Sequence, residues 1–448
     1  MSHLDTTTLT NVLKRVYGSQ LVDLATKHVM TYNQFQLSNR KAAIRPGGAG
    51  YYFGLRQSDL ENVGARGEGQ FIPQPLDYAA AQGVILPKLL YSVIRMSGLL
   101  IEAGKGNAEA FVNTLGDATT NAFKSLTVDM NRQCHGDGFG LLGTVDSDTT
   151  YTQQTDATFT VGFNNDLGTR YMRKGMVVDF YKSNGAIDTT AYPICNRIAS
   201  INPVTRRVTF EANSDAYGAY HPNSTLRGYT PVDNTTIAAA SQMVRYGARD
   251  AAFATTDTPY EMIGLLGHYD DGTLLATHEG LLITTYPEFK ANILSNSSVN
   301  RELSIDLMLA AMDMTLAQSG ENATLIRMGL GQRRKYFGLL EGDIRFAPTT
   351  LVGGYEKLGF SQNTAVQIMV DPMTQPNKLF FEPEGVIKKY ELTPIGWGGF
   401  DPNKMHWRQD YDEATMFLRT YTNLGVENRP ALTLLSDLTE PDKITMPF

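Results

Sequence analysis

The chain has few cysteines, no long apolar run and no excess of positive charge, and each shortage removes a class of protein. Of 448 residues only Cys134 and Cys195 are cysteines. Two cannot build a disulfide framework, and a chain this long has core enough to fold without one. They do not form a CxxC pair, so no zinc knuckle is spelled out. The apolar stretches at 83–86 and 99–101 fall far short of the roughly 20 residues that cross a bilayer. The N-terminal segment lacks the apolar core of a signal peptide. A soluble, reducing compartment and no membrane partner are expected. The formal net charge is −7, and the densest basic run is Arg333-Arg334-Lys335. Nucleic-acid-binding enzymes carry a basic face that neutralises phosphates, and a single triplet reads as a solvated face.

What is present is ordinary globular composition, 42% hydrophobic and 19% charged, enough for two or three domains. Residues 7–33 carry a helical stripe through Leu13, Val16, Tyr17, Leu21, Leu24 and Val29. A Gly- and Pro-rich break at 38–50 follows, so this segment reads as an arm that packs on something else. Residues 50–87 alternate short extended runs (51–53 and 70–72) with Gly64, Gly67 and Gly69. They suit a long two-stranded excursion with too little apolar content for a core of its own.

The clearest helix is expected over 107–132, where Phe111, Leu115, Ala118, Ala122, Leu126 and Met130 recur at three- and four-residue steps. At 1.5 Å per residue it is a rod of roughly 40 Å, about twice the usual length. It ends in the run from Cys134 to Gly143, whose glycines permit a left-handed stop. Between 155 and 256, β-branched and aromatic runs at 158–161, 176–181, 194–201 and 207–210 are separated by turns at 183–185 and 202–205. They predict a small antiparallel barrel. Helical patterning returns at 300–318. A hairpin is expected over 365–390 with its turn at 371–377, then a long extended run over 414–426 and a last strand over 429–435. No internal repeat is found.

The candidate chemical sites do not hold together. Gly138 to Gly143 matches GxGxxG letter for letter. A dinucleotide site needs a strand before those glycines and a helix after them, so that free N–H groups face the pyrophosphate. Here a helix precedes and strand-like sequence follows, so the oxidoreductase reading fails and no cofactor is expected. The run 98–106 has five residues between its glycines where a P-loop has four, and Gly106 where Ser or Thr must hold magnesium. Cys134, His135 and Asp137 sit beside a helix stop, and adjacent residues rarely point the same way. His268, Asp270 and Asp271, with His278 and Glu279, lack HxxxH or HExxH spacing and read as a surface loop without metal. No enzyme is expected.

The order of segments resembles the major capsid proteins of tailed bacteriophages, which share the HK97 fold. The resemblance is carried by Leu126–Asp129, Asn131–Gly138 and Leu142–Gly143, where many of that family close a spine helix with a similar GDG turn. It continues through Gly175–Tyr181, Ile201–Thr209, Tyr260–Leu265 and His268–Thr273, and ends with Tyr411–Leu435. It implies an α+β, HK97-like capsid fold with an N-terminal arm (1–45) and an extended loop (46–88). A peripheral domain with the spine helix (89–154) follows, then an inserted small β-barrel domain (155–256), an axial domain (257–345) and peripheral and axial return strands (346–448).

The implied function is self-assembly into an icosahedral shell around the double-stranded DNA genome of a tailed phage, built from pentamers and hexamers. DNA would be enclosed without specific binding, in a virion assembled in the host cytoplasm. A separate scaffolding protein, a portal and a decoration protein are the implied partners. Some capsids of this fold join an extended-loop lysine to a neighbour's asparagine; here no lysine occurs between Ala42 and Pro87. Non-covalent contacts are therefore expected, with Arg56, Glu61, Arg66 and Glu68 available for ion pairs between subunits. Gly136, Asp137, Gly138 and Gly143 are read as the structural turn. A cellular encapsulin-type shell is the same-fold alternative; such shells are typically shorter and lack a large β insertion.

Overall fold

The computed structural model describes residues 31–45, 48–58, 63–71, 79–99, 108–151, 158–164, 167–181, 196–211, 235–249, 259–340, 366–398, 406–407 and 412–440. Most of the expected N-terminal stripe, most of the 98–106 run, Glu61, Cys195 and the turn at 183–185 lie outside these residues.

The expected rod is a helix at Ala108–Gln133. Its buried stripe, Ala122, Leu126 and Met130 with Cys134 beyond the end, faces a sheet. Strand Lys88–Ser97 alternates strictly, turning Leu90, Ile94 and Met96 toward the helix and Leu89, Tyr91 and Val93 to the outside. It pairs antiparallel along the long strand Glu413–Val426, which also carries Ile387–Trp397 and the short His406–Trp407. Gln36–Leu37 completes the sheet, parallel to the 387–397 strand. Helix and sheet enclose the first core.

A second core lies beyond the helix exit. Six antiparallel strands run in the order Leu141–Thr144, Gln242–Arg245, Val177–Tyr181, Asn196–Asn202, Arg207–Glu211 and Thr158–Gly162. The two ends of this order meet at an isolated bridge between Val145 and Phe163, and Asn164 N–H donates to the Thr144 carbonyl (2.8 Å). Phe210 sits between Phe159 (centroids 5.0 Å) and Phe180 (5.5 Å).

The third core is covered by a mixed five-stranded sheet in the order Asn292–Leu294, Thr433–Leu435, Leu379–Glu382, Leu325–Met328 and Gln367–Val370. Helix Ile305–Ser319 packs on it, capped by Ser304, whose hydroxyl accepts from Leu307 N–H, and closed by Gly320 at φ 72°. A further helix, Leu330–Leu340, carries the basic triplet; the sequence reading had assigned no helix there.

Three expectations give way. The 365–390 hairpin does not form: strands 367–370 and 379–382 both pair with 325–328, one parallel and one antiparallel, and lie on opposite sides of it. Local patterning cannot distinguish a hairpin from two strands separated by a third. The strand that pairs with Gly48–Arg56 is Ala80–Ile85 rather than the 70–72 run; Phe71 itself is almost wholly exposed. The closing segment is a 3-10 turn, Arg429–Ala431, before the short strand Thr433–Leu435, because Arg429 turns inward to bind carbonyls.

The second core sets a stability test. Phe210→Ala removes a fully buried ring and is expected to cost about 3–5 kcal/mol in urea unfolding. Phe71→Ala, at 92% exposure, is expected to stay within about 0.5 kcal/mol of the parent.

Candidate assembly site: the helix exit and the extended hairpin

At the helix exit the chain makes a left-handed turn and is crossed by a later segment. The Asp137 carboxylate accepts from Phe139 N–H (2.9 Å), an Asx-type turn that sets the bend. Gly138 follows at φ 92°, where an added Cβ would also press within 2.9 Å of the Pro259 ring. Its carbonyl accepts from Glu261 N–H (3.1 Å), the Gly140 carbonyl accepts from Arg245 N–H (2.8 Å), and Arg249 Nε donates to the Phe139 carbonyl (2.9 Å). Gly143 pairs with Met243 and is hemmed in by Met172 and Phe163. Gly136 has neither a left-handed φ nor a close neighbour. The glycines of the GxGxxG match are thus engaged with the chain's own backbone and core.

Charged groups are buried on both sides of this turn. Arg132 donates to Asp129 (3.0 Å) and to Glu261 (2.5 Å), tying the helix to the crossing segment. Burial alone would raise the Asp129 carboxyl, but Arg132, Arg245 and Arg173 outweigh it and hold it well below the usual range. Asp371 forms a second hub. One of its oxygens accepts from the Thr31 hydroxyl (2.5 Å) and lies 3.4 Å from both Asn131 Nδ2 and His135 Nε2, while the other accepts from Met373 N–H (2.7 Å). Asn131 Oδ1 in turn accepts from Thr31 and Tyr32 N–H (3.1 and 3.2 Å). These contacts join the short helix Thr31–Gln34, the end of the long helix and the 371–375 loop. Burial works against the Asp371 carboxylate, yet His135, Thr31 and Met373 hold its carboxyl low. His135 thus faces a carboxylate, and Cys134 is a core thiol whose pKa burial pushes up. They are not a nucleophile and its base.

The extended hairpin is divided in two. At its root Tyr51, Phe53 and Ile85 are buried against Leu281, Ile283, Phe289 and Tyr390, with Tyr51 edge-on to Tyr390 at 5.1 Å. The excursion therefore does bury its base, using apolar side chains of the same chain. Val84 N–H donates to the Glu279 carbonyl (2.8 Å), and Asn423 Nδ2 to the Leu86 carbonyl (2.9 Å). Toward the tip, residues 63–71 are all exposed, Val63 by 84%. Arg56, Arg66 and Glu68 are exposed as well; Arg66 Nη1 donates only locally, to the Ala65 carbonyl (2.9 Å). The outer face of the first sheet is another uncovered apolar surface. Leu89, Tyr91 and Val93 lie opposite Tyr421, Arg419 and Phe417 and are half exposed.

The surface loop expected around His268 and His278 is one only in part: both histidines are fully buried and Asp270 and Glu279 are buried, while Asp271 is exposed. Turn residues masked this, because the segment's backbone is covered by Arg429, whose guanidinium donates to the carbonyls of His268 (2.8 Å), Gly267 (3.2 Å) and Asp270. Asp371, Gly264 and Arg429 were not singled out in the sequence; a lone Asp, Gly or Arg carries no spacing signal.

No family model and no curated protein matches the sequence. Solved structures do match. The capsid asymmetric unit of cyanophage A-1(L) is 11% identical and aligns over 98% of this chain and all of its own, with a TM-score of 0.51. The capsid of a native GTA particle is 9% identical over 96% of both chains (TM-score 0.44). A holo encapsulin complex from Synechococcus elongatus is 6% identical over the whole of both (TM-score 0.38). The cyanophage likeness establishes the fold. The chain has the fold of phage capsid proteins.

Two substitutions probe the exit. Gly138→Val forces a branched side chain into the left-handed region beside Pro259 and is expected to cost about 1–3 kcal/mol in urea unfolding. Asp371 has a folded pKa below its unfolded value of about 3.9, so its contribution is complete above that pH and is lost as pH falls. Asp371→Asn is expected to lower stability at pH 7 by about 1–3 kcal/mol and to flatten the acid limb of a Tm-against-pH curve.

Proposed function

We propose that this chain is the major capsid protein of a tailed phage and assembles with copies of itself into an icosahedral shell around double-stranded DNA. The observation that carries the reading is the divided hairpin. Its root is anchored on the body, while its distal residues project apolar and charged side chains with no cover from their own chain. A closed shell of one repeated chain needs such reaching heterologous contacts, and obligate interfaces of this kind bury on the order of 2,000 Å² or more.

In this reading residues 1–45 are the arm and 46–88 the extended loop, whose Arg56, Glu61, Arg66 and Glu68 pair with neighbouring subunits. Residues 89–154 form the peripheral domain around the spine helix, 257–345 the axial domain and 346–448 the return strands. Residues 155–256 are an inserted β-barrel; the bridge that links Val145 to Phe163 across the sheet's ends supports closure. The same six-stranded sheet takes in Leu141–Thr144, so the insertion draws its first strand from the helix exit. Pentamers and hexamers, a separate scaffold, a portal and a decoration protein are the partners. The shell is held non-covalently. The first lysine after Ala42 is Lys88, which is buried at the hairpin root and donates to the Pro259 carbonyl.

Negative-stain electron microscopy of the expressed chain should show shells, tubes or capsomers; monodisperse monomers alone would sink the proposal. Purified particles should contain nucleic acid, whereas shells with a protein cargo and no nucleic acid would favour an encapsulin compartment. On a denaturing gel the shell should run as a single monomer band, and covalent ladders would refute non-covalent assembly. The double substitution Val63→Ser, Phe71→Ser should leave the thermal unfolding of the monomer unchanged and abolish particles.

A further inference from the structure

His268, His278 and Glu279 are brought together by parts of the chain that the shell reading does not use. His268 ends the short helix Leu265–His268. His278 and Glu279 lie at the turn of a small hairpin, Thr277–His278 against Leu281–Leu282. We propose that these three residues form a binding site for one transition-metal dication of the zinc class, which clamps the root of the extended hairpin to the body.

Geometry comes first. His268 Nδ1 and His278 Nε2 face each other at 3.1 Å. Two ligands on a tetrahedral zinc, each at about 2.0–2.1 Å, stand about 3.3 Å apart, so both imidazoles already sit at ligand spacing. One ligand atom from each of the three residues falls within 4.8 Å of the others.

The second observation is unmet bonding. His268 Nε2, His278 Nδ1 and Glu279 Oε2 are all buried without a hydrogen-bond partner. Of these, only Glu279 Oε2 is an atom the metal would engage; the two orphaned nitrogens are the ring positions that do not face each other. A buried carboxylate oxygen left unpaired calls for an explanation. With the rings neutral, only one nitrogen of the facing pair can donate. A metal would take the lone pairs of both facing nitrogens, with the ring protons on His268 Nε2 and His278 Nδ1, and would find in Glu279 Oε2 an unpaired oxygen for its third ligand.

The backbone points the same way. The turn places Glu279 at φ 50° and Gly280 at φ 79°, a pair of left-handed positions that favours Asn or Asp followed by Gly. A glutamate there is strained, and its longer side chain reaches inward, where Oε1 accepts from Val426 N–H (2.8 Å). The Glu279 carbonyl accepts from Val84 N–H at the hairpin root. A metal on this carboxylate therefore holds strands 80–85 and 413–426 together with the helix that ends at His268.

Arg429 sets the class of ion. Its positive charge opposes a cation here; Asp270, Glu279 and Asp271 all act on it, but only Glu279 belongs to the cluster. Calcium and magnesium, which need several oxygen ligands, are excluded; an ion that bonds to imidazole is required.

The test uses untagged full-length protein. Zinc chloride titrated by calorimetry, with metal content measured after gel filtration, should give one equivalent per chain and a rise in Tm. Both should vanish in His278→Gln and in Glu279→Gln, which keeps an acceptor for Val426 N–H. Less than a tenth of an equivalent in the parent, or undiminished zinc in both variants, overturns the site. Should either variant misfold by circular dichroism, cobalt added to the parent decides: visible d–d absorption of a histidine-ligated ion is expected, and its absence overturns the proposal.

Discussion

The end of the long helix and the segment 259–269 cross backbone against backbone, and that contact fixes where the three cores stand. A Cβ at Gly264 would lie 2.2 Å from the Gln133 carbonyl oxygen, so only a glycine allows the approach. Leu265 N–H then donates to the Cys134 carbonyl at 2.7 Å. The N–H groups before it are met from both sides: Met262 by Gln133 Oε1 (3.1 Å) and Ile263 by Asn423 Oδ1 (3.2 Å). Before the crossing the helix packs in the first core. Past Gly138 the chain enters the second, and past Leu265 it runs toward the third. A loss of spacing at this one place would misalign all of them.

Charge buried around the crossing adds orientation more than stability. Desolvating an ion pair costs about what the pairing returns, yet removing one partner leaves an uncompensated charge and is severe. Arg132 links Asp129 to Glu261 across 129 residues of sequence. Arg327 does the same at the third core, donating to Glu382 (2.8 Å) and to Gln34 (2.8 Å), while the Tyr269 hydroxyl donates to the other Glu382 oxygen (2.9 Å). Apolar packing tolerates small slips of one layer over another. These bonds do not, because each has one distance and one direction that satisfy it. They join elements that local propensity leaves independent.

The legible parts of the sequence were those with a period. Steps of three and four residues placed the long helix within one residue at each end. β-branched runs located the strands at 158–162, 177–181, 196–202, 207–211 and 413–426 to within about two residues. Pairing was less legible, since strand 325–328 separates 367–370 from 379–382 without leaving a mark on either. Burial of polar residues was not legible at all. His268 and His278 read as a surface loop and Arg429 as the start of a strand, and only the fold brings backbone carbonyls and imidazoles to enclose them. At the helix exit the bend has a local cause, the Asp137 side chain and the left-handed Gly138 and Gly140, while Gly143 lies in the strand that follows. Asp371 has no such cause, as its partners come from Thr31, Asn131 and His135.

The division of the hairpin follows from where its apolar residues fall. Tyr51, Phe53 and Ile85 lie near the body, where Phe53 lies so close over Gly83 that no side chain fits beneath it. Farther out, glycines at 64, 67 and 69 replace them, and a chain rich in glycine has too little to bury and much entropy to lose. Such a tip gains order only by lying on a surface that supplies the missing contacts. Leu89, Tyr91 and Val93 offer a surface of that chemistry on the outer sheet face. The root can be rigid because the crossing holds it, and a rigid root narrows the directions in which the tip can meet a second copy. In the proposed shell that pre-orientation would lower the entropic cost of association, and it would link the glycine contact at the helix exit to the contacts between subunits.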